Sequence, residues 1–203
     1  VPFPGNLYGA LKCGQYIKQH HPNLKVFMGG GYPNTELRSL KEERVFEYVD
    51  FITLDDGERP LITLLEHLAG NFPLEDLKRT FTLVDGEVIY YDSPKVRDFP
   101  FAVTGTPDYS DLTLDSYLSV IEMANPMHRL WSDGRWNKMT LAHGCYWKRC
   151  SFCDVTLDYI ERYDEAPAKI LVDRMEKLMD QTGISGFHFV DDKDNKCDVE
   201  DKI

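Results

Sequence analysis

The sequence predicts an α/β protein made of a partial doubly wound sheet followed by the start of a β/α barrel or open sheet. Two observations predict the first part: short apolar strands occur twice, and each is followed by a loop and then a helix with one apolar face. Units of this order build parallel sheets with helices packed on them. The second part is predicted by the order strand, cysteine-rich loop, helix, strand after residue 118.

Residues 1–79 are predicted to form the first α/β unit. Asn6 is suited to cap a helix that ends before Pro22. The apolar face of this helix contains Leu7, Ala10, Leu11 and Ile17. A buried strand over 25–28 follows it, and three glycines come directly after that strand: Gly29, Gly30 and Gly31. Because ligands bind such sheets at the carboxyl ends of strands, the glycines are a candidate ligand-binding loop.

The second strand of this unit is predicted over 51–54 and is followed by the acidic loop 55–58 and a helix. Four leucines at three- and four-residue spacing are expected to be its buried face: Leu61, Leu64, Leu65 and Leu68. Residues 80–117 are predicted to be a hairpin and a linker. Asp85-Gly86 is a typical hairpin turn between strands at Thr80–Val84 and Glu87–Tyr91, and 93–115 lacks any periodicity.

Residues 118–203 are predicted to begin this barrel or open sheet. Strands are expected over 118–123, 137–142 and 187–190, with a helix over 166–181. One face of that helix carries Leu171, Met175, Leu178 and Met179. The tail 191–203 is almost wholly polar, and we expect it to be solvated. Since a complete barrel needs more β/α units, and the sequence begins at Val1, we expect a piece of a longer protein, truncated at both ends.

The composition excludes several classes of function. A net charge of −11 argues against a nucleic-acid partner, because phosphate binding needs a basic face. No apolar run reaches the length of a membrane span, and no targeting segment is visible. We therefore expect a cytoplasmic protein with a small-molecule substrate that the sequence does not identify.

Three of the five cysteines lie close together, at Cys145, Cys150 and Cys153. An odd count and such close spacing argue against disulfides, whereas three thiolates on one loop are typical of metal ligands. A closed structural zinc site needs four protein ligands, and His143 could supply the fourth. An iron–sulfur cluster held by three cysteines instead leaves one iron open to a substrate or cofactor, which suits chemistry.

The cysteine loop resembles the signature of the radical S-adenosylmethionine (SAM) enzymes. In that family three cysteines follow the first strand of a partial β/α barrel, and an aromatic residue precedes the last of them. The cysteines here are spaced four then two, one residue longer in the first gap than the usual spacing, and Phe152 occupies the aromatic position.

The first unit resembles a domain that is found in one subclass of this family. The segments 1–6, 28–31 and 55–61 look like the later part of the Rossmann-like cobalamin-binding domain that precedes the barrel in the cobalamin-dependent subclass. The resemblance therefore implies cobalamin near Gly29, Gly30 and Gly31. The segment that supplies the lower cobalt ligand in part of this family would precede Val1, so full cobalamin affinity is not expected of this chain.

The resemblance also implies the roles of the remaining site residues. Cys145, Cys150 and Cys153 would hold a [4Fe–4S] cluster. Phe152 would lie against the adenine of SAM, and Asp191 would face its amino group. An external electron donor would reduce the cluster, and cleavage of SAM would give a 5′-deoxyadenosyl radical for methyl transfer or rearrangement. Two alternatives stay open: a non-enzymatic module stabilised by zinc, and an inactive remnant whose site is never loaded.

Overall fold

The computed structural model describes residues 1–116, 136–149, 151 and 153–190. The chain divides into two compact units, Val1–Phe99 and Pro100–Ile203. The division falls inside the segment 93–115 that was predicted to be a linker. No helix in the described ranges is long and apolar enough to cross a membrane.

The first unit contains a four-stranded mixed sheet. Its strands are β1 (Phe27–Met28), β2 (Phe51–Thr53), β3 (Thr80–Val84) and β4 (Glu87–Tyr91), and they pair in that order. Strands β1 and β2 are parallel, while β2–β3 and β3–β4 are antiparallel. The α/β class is confirmed, but the hairpin adds antiparallel strands to the predicted parallel sheet.

The hairpin forms with the predicted strand bounds and turn. Asp85 and Gly86 have φ of 51° and 86°, so both central residues of the turn lie in the left-handed region. A two-residue turn of this kind matches the twist of the strands that it joins. It sets the register in which Val84 pairs with Glu87.

Strand β2 has a hydrophobic cluster on each of its faces. Ile52 and Phe81 belong to one cluster, whose buried members also include Met28, Phe46, Val49 and Leu54. Phe51 packs on the other face with Leu64 and Leu77. Because neighbouring residues of a strand point to opposite faces, β2 is buried on both sides and its short sequence is wholly apolar except for Thr53.

The first unit also contains three α-helices: α1 (Leu7–His20), α2 (Gly31–Glu36) and α3 (Glu58–Leu68). The predicted capping role of Asn6 is wrong. Its side chain makes no capping hydrogen bond, and its φ and ψ of −88° and −11° are helical. The short 3₁₀ helix Pro4–Asn6 leads directly into α1, so the extended backbone that an N-cap requires is absent there.

The predicted buried face of α3 is also wrong in part. Leu64 is buried, but Leu65 and Leu68 are 52% and 44% exposed. The buried stripe is rotated toward Pro60 and Thr63. Thr63 Oγ1 donates to the Pro60 carbonyl at 3.0 Å and accepts the Lys78 N–H at 3.4 Å, and these bonds turn this side of α3 toward residue 78.

The described residues of the second unit form two small sheets. β5 (Asn137–Thr140) pairs in parallel with β8 (Phe187–Val190), and β6 (Ala142–His143) pairs antiparallel with β7 (Asp164–Glu165). The helices among the described residues of this unit are α4 (Asp158–Glu161) and α5 (Ala168–Thr182). The strand predicted over 137–142 is thus confirmed but divided into β5 and β6, and the strand predicted over 118–123 lies outside the described residues.

Helix α5 follows the prediction for 166–181 closely. It ends at Gly183, whose φ of 68° gives the left-handed C-cap that glycine favours. Its Leu178 is fully buried, whereas Met179 is 39% exposed. Helix α5 lies between β5 and β8 in sequence, so the parallel pair and the helix form a β–α–β unit.

Buried Arg174 joins α5 to the 3₁₀ segment Phe101–Val103. Its Nη2 donates to the carbonyl of Phe101 at 2.8 Å, and its guanidinium lies 4.8 Å from the centre of the Phe101 ring. Burial lowers the pKa of Arg174 from its usual value. The Phe101 N–H donates to Asp164 Oδ2 at 2.7 Å, so the segment is held from both sides.

Candidate metal centre

The cysteine loop begins directly after β6, and its first turn depends on Gly144. The φ of this glycine is 77°, a conformation that other residues rarely adopt. A Cβ at this position would collide with the backbone carbonyl of Arg162. The next residue is tied to the same part of the chain, because the Cys145 N–H donates to the carbonyl of Ile160 at 2.8 Å.

The thiol of Cys145 lies in a tight turn with a backbone donor directed at it. The Lys148 N–H lies 3.5 Å from Cys145 Sγ, and Lys148 itself has a φ of 52°. Cys145 is 8% exposed, and Cys153 is partly exposed. Backbone donors to sulfur are typical of thiolates that hold iron–sulfur clusters, so the donor set fits such a group.

The other predicted residues of this site are Cys150, Phe152 and Asp191, and all three lie outside the described residues. Within the described ranges, no three His, Cys, Asp or Glu side chains are grouped to hold a metal ion. Those ranges do not include Cys150, and therefore do not include the complete predicted set of three cysteines. The ligand roles of the cysteines stay a prediction.

His143, the alternative fourth ligand, packs against an aromatic ring. Its imidazole centre lies 4.4 Å from that of Phe101, with the planes tilted by 40°. Close by in sequence, the ring of Tyr146 contacts those of Trp147 and Tyr163 edge-on, at 6.3 and 6.1 Å. His143 therefore has a packing role that does not require a metal.

The glycine loop lies where the sequence predicts, at the carboxyl end of β1 and beside that of β2. A Cβ on Gly29 would lie 2.8 Å from Thr53 Oγ1 on β2. A Cβ on Gly30, whose φ is 104°, would lie 3.1 Å from the Val1 carbonyl, and one on Gly31 would lie 2.8 Å from that of Pro2.

The same loop is hydrogen-bonded to the first residue of the chain. Val1 N donates to the Gly29 carbonyl at 2.6 Å, and the Tyr32 N–H donates to the Val1 carbonyl at 3.0 Å. The chain's own backbone thus makes the close approach that the glycines permit. Their contact with a corrin ring or its nucleotide tail stays a prediction.

A buried charge network that the sequence analysis missed lies at the carboxyl end of β2. Asp55 pairs with Arg38 at 2.7 Å and lies 3.8 Å from Arg79 Nε. Arg79 in turn donates two hydrogen bonds to Asp98, at 2.8 and 2.6 Å. Burial opposes the charge of Arg79, but the hydrogen bonds to Asp98 outweigh it and raise the pKa of the guanidinium. The sequence analysis identified only the acidic loop 55–58 of this network. The other members, Arg38, Arg79 and Asp98, are distant from the loop along the chain.

Neither a family model nor a curated protein matches this sequence. Solved structures do match. The cobalamin-dependent S-adenosylmethionine radical enzyme OxsB, with aqua-cobalamin bound, aligns with 95% of this chain at a TM-score of 0.63 and 15% identity. The fold is similar to that of a part of this cobalamin-dependent radical SAM enzyme. The predicted fold resemblance is therefore confirmed at the level of structure.

A second neighbour is the radical S-adenosylmethionine methyltransferase TsrM from Kitasatospora setae. Its structure with tryptophan substrate and the SAM analogue aza-SAM aligns with 92% of this chain, at a TM-score of 0.57 and 18% identity. Its structure with cobalamin and a [4Fe–4S] cluster aligns with 90%, at 0.52 and 19%. This chain spans 25% of the OxsB chain and 33–34% of the TsrM chain.

Proposed function

We propose that this chain is part of a cobalamin-dependent radical SAM enzyme and that its second unit holds a [4Fe–4S] cluster through Cys145, Cys150 and Cys153. One observation carries the proposal: the chain has a fold similar to that of these enzymes, and its cysteine loop follows β5 and β6, between the first strand and the helix of the parallel β–α–β unit β5–α5–β8. A structural zinc module would not need this fold.

The first unit would be the later part of a Rossmann-like cobalamin-binding domain, and the second would begin the β/α partial barrel. The turn at Gly144 and the Lys148 N–H support the cluster, since they orient Cys145 Sγ and donate to it. Phe152 would pack on the adenine of SAM, and Asp191 would accept a hydrogen bond from its amino group. A bound and reduced cluster would supply the electron for reductive cleavage of SAM to methionine and a 5′-deoxyadenosyl radical.

We propose that this chain binds cobalamin, but only with reduced affinity. Gly29, Gly30 and Gly31 lie at the sheet edge where ligands of doubly wound folds bind, which supports a cobalamin contact. The chain's own residues Val1 and Pro2 already pack on this loop, which leaves less of its backbone for a ligand. The substrate would be a small molecule, and the proposed partner is an external electron donor that reduces the cluster.

The test is anaerobic reconstitution with iron and sulfide, followed by iron counting and EPR of the reduced protein with and without SAM. We expect about four irons per chain and a signal that changes when SAM is added. Cys145→Ala should abolish iron retention. Cys13→Ala is the matched control, because Cys13 is exposed on α1 and should have no effect.

The two alternatives give different results in the same experiment. A colourless protein that retains zinc, and loses it in both Cys145→Ala and His143→Ala, would replace the cluster with a structural site. A chain that folds but retains neither iron nor zinc would be an inactive remnant. Equal iron loss from Cys13→Ala and Cys145→Ala would show that the iron is bound non-specifically.

A further inference from the structure

The start of the cysteine loop packs on a residue that is distant in sequence, Phe101. Phe101 is 5% exposed, and it contacts both members of the cross-strand pair formed by His143 and Asp164. Its ring centre lies 4.4 Å from that of His143, and its N–H donates to Asp164 Oδ2 at 2.7 Å. Phe101 therefore supports the end of β6, where the cysteine loop begins.

The first cysteine is closely connected to this pair of strands. Only Gly144 separates His143 from Cys145 along the chain. The Cys145 N–H donates to the carbonyl of Ile160 at 2.8 Å, and Ile160 lies on α4, which leads into β7. A displacement of β6 or β7 would therefore move the Cys145 thiol.

Arg174 on α5 holds Phe101 in this position. Its Nη2 donates to the carbonyls of Phe101 and Ala102, at 2.8 and 3.2 Å. Its guanidinium also lies 4.8 Å from the centre of the Phe101 ring, within the range of a cation–π contact. The Phe101 carbonyl accepts further hydrogen bonds from Thr104, through its N–H at 3.2 Å and its Oγ1 at 2.9 Å. Loss of the guanidinium would therefore leave this carbonyl with partners.

The stability of the fold does not account for an arginine at this position. Arg174 is 5% exposed, and no carboxylate in the described part of the chain forms a salt bridge with it. Burial of a charge without an ionic partner is costly. Apolar residues that replace buried charged groups are often neutral or stabilising. What an apolar side chain would not supply is the hydrogen bonding to the segment 101–102.

We propose that Arg174 is a positioning residue for the cysteine loop: it holds Phe101 against His143 and Asp164, and these fix the position of the Cys145 thiol. A site held by only three cysteines requires its ligands in fixed positions, and those positions depend on the residues that support them. The inference rests on the proposed function for the identity of the bound group, a [4Fe–4S] cluster. The contacts that position the thiol need no metal.

The first test measures how fast iodoacetamide alkylates Cys145 in the reduced, iron-free chain. Peptide mass spectrometry distinguishes Cys145 from exposed Cys13, which is the internal reference. Arg174→Met should raise the rate at Cys145 relative to Cys13 by about tenfold or more, because hydrogen bonds from a charged donor are lost and the segment opens locally. The melting temperature should stay the same or rise. A melting temperature that falls, with equal increases at Cys145 and Cys13, would show a role in stability alone and overturn the proposal.

Further variants test each side of Phe101. Arg174→Lys should restore most of the protection of Cys145, because an ammonium can donate to both carbonyls. Asp164→Ala removes the acceptor of the Phe101 N–H and should also raise the rate at Cys145, whereas Asp164→Asn keeps an acceptor oxygen and should not. Lys169→Met, at the exposed start of α5, is the surface control. An unchanged rate at Cys145 in Arg174→Met, or the same increase in Lys169→Met, would overturn the proposal.

Reconstitution with iron and sulfide distinguishes this inference from the proposed function. We expect the unmodified chain and Arg174→Lys to retain iron, and Arg174→Met to lose much of it. If no chain retains iron but the alkylation rates change as expected, the proposed function fails and the positioning role of Arg174 stands. Equal iron retention and equal alkylation of Cys145 in Arg174→Met and the unmodified chain would leave the proposed function intact and exclude the positioning role.

Discussion

Asp55 accepts two hydrogen bonds from the guanidinium of Arg38, at 2.7 and 3.1 Å. Its own N–H donates to Asn34 Oδ1 at 2.8 Å, and its φ of 61° lies in the left-handed region. The Asp55 side chain is 3% exposed. Through these contacts Asp55 connects the carboxyl end of β2 to α2, beside the glycine loop.

We expect Asp55→Asn to destabilise the first unit by about 3 kcal/mol, because it leaves the partly buried guanidinium of Arg38 without its charge partner and removes a negative charge beside buried Arg79. Asparagine tolerates the left-handed backbone, so the change tests the charge rather than the conformation. Urea unfolding measures the free-energy change. Glu42→Gln is the control: Glu42 pairs with Arg44 on the exposed surface and should change stability little. Equal effects of the two variants would contradict a specific role for the buried pair.

The stability of the first unit should depend on pH through Asp50. Burial alone would raise the pKa of Asp50, but hydrogen bonds from Lys18 and from the Val26 N–H outweigh it and lower the pKa from its usual value. A lowered folded-state pKa means that the stabilisation is complete above the unfolded pKa of about 4. It is then lost as the pH falls through the folded value.

Asp50→Asn should therefore lower the free energy of unfolding by about 1 kcal/mol at pH 6, and the difference from the unmodified chain should shrink as the pH falls below about 4. Urea unfolding at several pH values measures this. Glu36→Gln, at an exposed position, should show no such convergence. A difference for Asp50→Asn that stays constant down to a pH of about 2.5 would show that the pKa is not lowered.

Gly144→Ala should disrupt the cysteine loop. The substitution adds backbone strain at φ 77° and a collision with the Arg162 carbonyl. Gly105→Ala is the matched control, because Gly105 has a φ of 87° but a Cβ added there would meet nothing within 4 Å. We expect Gly105→Ala to cost about 1 kcal/mol and Gly144→Ala to cost about 1–3 kcal/mol more.

Both glycine variants are compared by thermal unfolding and by iron retained after reconstitution. Only Gly144→Ala should lose iron, since only that turn leads to Cys145. If both variants lower stability equally, the close approach to Arg162 is not a constraint on the loop.

Lys148 offers a separate test of the backbone donor to Cys145. Its φ of 52° is unfavourable for lysine, so Lys148→Gly should stabilise the loop by up to about 1 kcal/mol and retain iron. Lys148→Pro should lose iron, because proline has no N–H to donate to Cys145 Sγ and cannot adopt a positive φ. Iron content and melting temperature are the measurements, and full iron retention by Lys148→Pro would exclude the N–H as a support of the site.

Local signals predicted much of the fold. Asp85-Gly86 determined the hairpin because both residues tolerate positive φ, and the apolar periodicity before Gly183 determined α5. The order of cysteines and strands also predicted the resemblance that the solved structures confirm at the level of fold. The prediction failed for α3, where the leucine spacing favoured one buried face and the packing selected another. The leucine spacing within α3 carries no information about the hydrogen bond between the Lys78 N–H and Thr63, because Lys78 lies outside the helix.

The sequence by itself determined the α/β class, the main helices and strands, and the set of candidate ligands, because each depends on residues near one another along the chain. Only the tertiary structure decided which distant residues meet. Arg38, Arg79 and Asp98 converge on the end of β2, Val1 and Pro2 pack on the glycine loop, and Arg174 and His143 meet at the Phe101 ring. Such contacts depend on how strands pair and helices pack, and no short-range pattern in a single sequence records that pairing.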